Sequence, residues 1–121
     1  MTTPATKKSQ FLILLRQPPG GSPSPAELQK IMMQFQTWMN DLRSRHEVIS
    51  SNGLIPTTGK VLRGPNGLSA TDGPYVEANE VMGGYVLLAA DSFEDAVAAG
   101  RACPGLGYNM TVEIRTVMPR A

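Results

Sequence analysis

The chain has 121 residues, of which 41% are hydrophobic, a length that fits one domain and a composition that excludes a disordered chain. Eleven Lys and Arg residues against ten Asp and Glu leave a net charge of +1 with His neutral, which excludes the basic excess of an electrostatic nucleic-acid binder. The single cysteine, Cys103, excludes an intrachain disulfide, and with one histidine, His46, there is no Cys/His zinc set within one chain.

In chain order, residues 1–8 are expected to form a tail and residues 9–119 one domain. Met1–Gln10 lacks the apolar core of a signal peptide. No apolar run approaches the roughly 20 residues of a membrane-spanning helix. Cytoplasmic placement, without membrane contact, is therefore the expectation. Phe11–Leu15 is short and unbroken in its apolarity, the pattern of a strand central in its sheet. The Pro/Gly/Ser loop Pro18–Pro25 ends it.

Ser24-Pro25-Ala26-Glu27 has the form of a capping box with proline in the first turn. Leu28, Ile31, Phe35, Trp38 and Leu42 follow at spacings of three and four, one apolar helical stripe widened by Met32 and Met39. The spacing predicts a helix from Pro25 to about Ile49, stopped by Asn52-Gly53. Leu54–Arg63 reads as an extended segment, with Lys60–Arg63 its best strand portion. Gly64–Gly67 is a turn, and Leu68–Thr71 a short returning strand broken by Asp72-Gly73-Pro74-Tyr75.

Val81–Ala90 is a second strong strand, and its paired Gly83-Gly84 suits a bulge or a close backbone approach. Asp91 or Ser92 caps a second helix, with Phe93, Ala96, Val97 and Gly100 on its inner face. Cys103-Pro104-Gly105 ends that helix. Met110–Val117 alternates as the last strand, with Thr111, Glu113, Arg115 and Val117 on one face. Two crossover helices in this order predict an α+β, ferredoxin-like split βαβ fold with an antiparallel sheet. A chain this short buries only about two-thirds of its unfolded surface. Two helices cover one sheet face, so a homodimer is expected across the other.

At Asp72-Gly73-Pro74-Tyr75 the sequence resembles the DGPF subgroup of the YCII-related family. The likeness runs on through Glu77, Glu80 and Gly83-Gly84-Tyr85, and reaches Phe93–Ala96 and Val112–Arg115. Upstream, Trp38-Met39 and Gly59–Leu62 look similar too. The resemblance implies a dimeric α+β barrel, in which two ferredoxin-like sheets close against each other with a cleft in each protomer. A narrower YciI-like branch has a His–Asp pair thought to be catalytic. Here the first helix begins Ala26-Glu27-Leu28-Gln29, and Cys103-Pro104 stands where Asp-Pro is expected, so the pair does not carry over.

Several residues near the DGP string are candidates for a small-molecule site. Asp72 is either a general base or polar anchor, or a turn residue bonding nearby amides. Glu77 and Glu80, spaced i, i+3, share a face if the segment is one helical turn; paired carboxylates can divide acid and base roles, or form a solvated face. Tyr75 can line a pocket or pack in an interface. Arg16, Arg63 and Arg115 lie near strand ends, where each can pair with Asp72 or Glu80, hold an anionic ligand, or make a surface ion pair. A Cys103–His46 nucleophile pair is formally open. Phosphate-loop, dinucleotide and nucleophile-elbow motifs are lacking, so no cofactor is expected. The leading expectation is a small-molecule enzyme with its cleft near the DGP motif. A non-catalytic ligand-binding or regulatory dimer, or a purely structural dimer, are the alternatives.

Overall fold

The structure, a computed structural model, describes residues 8–18, 23–77 and 80–119. The expected tail, Lys8 excepted, lies outside the described residues. The apolar run Phe11–Leu15 forms the middle of β1 (Ser9–Gln17). This strand pairs antiparallel with β6 (Glu80–Ala90) on one side and β7 (Thr111–Thr116) on the other. β2 (Glu47–Gly53) pairs with the far side of β6, giving the order β2-β6-β1-β7. The two-residue β5 (Val76–Glu77) also adds to β6.

Helix α1 (Pro25–Arg45) connects β1 to β2, and α2 (Phe93–Arg101) connects β6 to β7. Each crossover joins parallel strands with one strand between them, so both halves are split βαβ units and the fold is α+β, as expected. A serine caps each helix. Ser24 Oγ accepts from the Glu27 amide at 3.2 Å, and Ser92 Oγ from the Asp95 amide at 3.1 Å. Among the described residues no helix is long and apolar enough to cross a membrane.

Two boundaries differ from expectation. Helix α1 stops at Arg45 rather than near Ile49, with His46 as its C-cap, and 47–53 is a strand. Val48 and Ile49 are β-branched, and Ser50, Ser51 and Asn52 compete for backbone bonds in a helix. Pairing with β6 instead satisfies that backbone. The second difference concerns 54–73. β3 (Gly59–Arg63) and β4 (Ser69–Gly73) form a hairpin of their own outside the main sheet. Asp72 and Gly73 belong to β4, so the expected break falls one residue pair later, at a cis Gly73–Pro74 bond.

The glycine pair on β6 does both things expected of it. Leu15 pairs with Gly84 and Arg16 with Met82, leaving Gly83 as the bulged residue. At Gly84 a Cβ would stand 3.1 Å from the Asn52 carbonyl oxygen, so a side chain there would require that backbone to give way.

The core lies between the sheet and both helices. Phe11, Ile13 and Leu15 of β1 point into it with Val86, Leu88 and Ala90 of β6, and Trp38, Leu42, Ala96 and Ala99 cover them. Cys103 is buried there too, and burial pushes its thiol up, which makes it a packing residue rather than a nucleophile. One polar contact ties the helices together. The Trp38 indole N–H donates to the Ala99 carbonyl at 2.9 Å. Near the end of α2, the Ala98 carbonyl accepts from the Ala102 amide and the Gly100 carbonyl from the Cys103 amide. The indole supplies a donor to the carbonyl between them. Trp38→Phe is expected to lower stability by about 1–3 kcal/mol, because it orphans a buried carbonyl. Urea unfolding should show an earlier midpoint at unchanged slope.

Candidate functional site

Alternation along β1 sends Leu12, Leu14 and Arg16 to the face away from the helices. Leu12 lies between Leu87 and Arg115, Leu14 between Tyr85 and Glu113, and Arg16 between Met82 and Thr111. This open face is half apolar and half polar, and its polar side chains are bonded to one another. Arg16 Nη1 donates to Glu113 Oε1 at 2.5 Å, and Arg115 Nη1 stands 3.6 Å from Glu113 Oε2. Glu113 therefore bridges two arginines. The Arg16 hydrogen bond, helped by both positive charges, holds its carboxyl below the usual carboxylate range against a smaller desolvation effect.

Three further hydrogen bonds join polar groups on this face. The Thr111 hydroxyl donates to Glu80 Oε2. Tyr85 Oη lies 3.1 Å from Ser50 Oγ and accepts from Asn52 Nδ2 at 3.2 Å. These bonds, Ser50 first, lower the phenol pKa from its ordinary value.

At the Arg16 end the face deepens into a cleft of about 640 Å³, within the range of about 300–1,000 Å³ usual for small-molecule sites. Arg16, Tyr75, Glu80 and Met82 line it, with Leu54, Ile55 and Pro74 from the segments flanking the β3–β4 hairpin. Three of the residues singled out from the sequence thus come together, Arg16 from β1 and Tyr75 and Glu80 from either side of the β5–β6 turn. Arg63 does not line the cleft but stacks on Tyr75, its guanidinium carbon 5.8 Å from the centre of the ring. Arg115 lies on the same face through Glu113.

The remaining candidates are placed differently. Asp72 sits on β4 with its side chain 96% exposed and meets Lys60 Nζ at 3.6 Å, a surface ion pair of small worth. Among the described residues it has no arginine partner, and it does not line the cleft. Glu77 and Glu80 are opposed across the β5–β6 hairpin instead of stacked on a helical turn. The Glu77 side chain, Ala78 and Asn79 lie outside what is described. Among the described residues no cluster of His, Cys, Asp and Glu is arranged to hold a metal ion.

Glu113, Thr111, Tyr85, Ser50 and Asn52 were not singled out from the sequence. Alternation already put Glu113 beside Arg115 on one face of the last strand. Which neighbour that face meets depends on register with β1, and no local pattern encodes it.

The depressed Glu113 pKa has a pH consequence. A carboxyl more acidic folded than unfolded stabilises the fold above its unfolded pKa of about 4.3, and that contribution is lost as pH falls through the lower folded value. Glu113→Gln should therefore destabilise the protein at pH 7, and the gap from wild type should close below about pH 4. Urea unfolding at a series of pH values measures this.

No curated protein matches the sequence. The pattern of the YCII-related domain family matches residues 9–120, so it takes in every strand and helix described above. The chain belongs to the YCII-related domain family.

Proposed function

We propose that the chain acts on a small molecule held in the cleft beside the DGP motif, as a DGPF-type member of its family. The observation that carries this is the convergence of Arg16, Tyr75 and Glu80 on one concave site of ligand size. Arg16 is the anchor for a polar or anionic group, since a guanidinium offers a fixed fork of donors. Tyr75 is the wall, with Arg63 stacked on its ring. Glu80 is the acid–base group, its carboxylate oriented by the Thr111 hydroxyl. Asp72 acts through the hairpin that delivers Tyr75 rather than as the base.

The same proposal assigns the open face to a second copy of the chain. Leu12, Leu14 and Leu87 form an apolar patch there, interleaved with charges that already have partners. A homodimer across this face would roof the cleft and exclude water from it, which strengthens every polar contact inside.

A panel of metabolites is to be tested for thermal stabilisation and for turnover. A true ligand at 100 times its Kd adds about 2.7 kcal/mol of stability. Any turnover found should fall about 10²–10⁴-fold in Glu80→Gln, the usual worth of a general acid or base. Activity that survives this change removes Glu80 from the chemistry. Stabilisation without turnover supports the non-catalytic ligand-binding alternative.

A further inference from the structure

The apolar stripe of α1 buries unevenly. Trp38 and Leu42 are sealed at 4% and 2% exposure, Ile31 and Phe35 are half-buried, and Leu28 is 46% exposed. The first half of the stripe stands off the sheet. Between it and Leu15 and Val86 lies a cleft of about 700 Å³, on the helix-covered face of the sheet and so opposite the cleft of Arg16 and Glu80. Gly83 and Gly84 present no side chains to this space, and a Cβ at Gly84 would crowd the Asn52 carbonyl. Phe35, Met39 and Met110 wall it, and methionines adapt readily to irregular ligands.

Its chemistry is selective. No charged side chain is among the lining residues that are described. Its polar lining groups are uncharged and include Ser51, which pairs with Val86 and shares its face, the Gln17 carboxamide, which lies against Gly83, and the Tyr108 hydroxyl, which donates to Gln34 Oε1 at 2.7 Å and keeps a lone pair for another donor. An ion placed here would lose hydration with no counter-charge to replace it. We infer that this cleft is a second binding site, for a small, neutral, largely apolar molecule with one hydrogen-bonding group. The apolar body fits against Leu28, Ile31 and Phe35, and the polar end meets Gln17 and Tyr108.

Trp38 lines the cleft and is the only tryptophan in the chain, so its emission reports on occupancy. The probes are cyclohexylmethanol and cyclohexanecarboxylate, equal in ring size and different in charge. Cyclohexylmethanol should shift the Trp38 emission saturably, and the carboxylate should bind at least about tenfold more weakly, since it brings an unpaired charge. Leu28→Asp, which puts a carboxylate at the exposed mouth, and Ile31→Phe, which fills the space with apolar volume, should each weaken cyclohexylmethanol about tenfold while circular dichroism stays native. Glu80→Gln should leave the titration unchanged. No saturable response, equal affinity for the carboxylate, or undiminished binding in both folded variants would overturn the inference.

Discussion

β1 runs between β6 and β7, so each of its side chains goes to one of two faces with opposite fates. Phe11, Ile13 and Leu15 enter the core, where Ile13 is wholly buried. Leu12, Leu14 and Arg16 go to the other face, where no helix covers them. A shift of one residue in register would exchange the two sets and put Arg16 beneath the helices, at the cost of burying a charge. The bulge at Gly83 falls just where the apolar run ends and Arg16 begins. A bulge of this kind resets the alternation of its own strand, and here it sets Met82 opposite Arg16.

The polar groups of that open face are matched before anything covers them. Glu113 takes Arg16 and Arg115, Glu80 takes Thr111, and Tyr85 takes Ser50 and Asn52. Arg16 and Glu113 are only 23% and 32% exposed, so part of their hydration is already gone. A pair that meets a new surface with its hydrogen bonds made adds little further desolvation cost, whereas a lone charge would oppose burial. This is how an apolar patch and a charged cluster can share one sheet face.

Local signals were strong where a single segment decides its own structure. Ser24-Pro25 starts α1, Ser92 starts α2, and the glycine pair marks the bulge, all visible along the chain. The α+β order was legible for the same reason. The end of α1 was not, because 47–53 becomes a strand only by pairing with β6, nearly forty residues on. The site was half legible. Arg16, Tyr75 and Glu80 stood out by residue type near strand ends and turns, and the cleft unites them. Asp72 stood out equally, yet the hairpin turns it to solvent. Glu113 was hidden because its role comes from Arg16, across a strand pairing that joins the two ends of the sequence.

The central claim is that the open face of the sheet is a working surface closed by a second copy of the chain. Sedimentation equilibrium on the wild-type protein and on Leu14→Glu tests it most directly, since Leu14 lies at the middle of that face between Tyr85 and Glu113. The wild type should sediment at the mass of two chains, and Leu14→Glu, with native circular dichroism, at the mass of one. A wild type that stays at the mass of a single chain at every concentration, or a folded Leu14→Glu that remains paired, would contradict it.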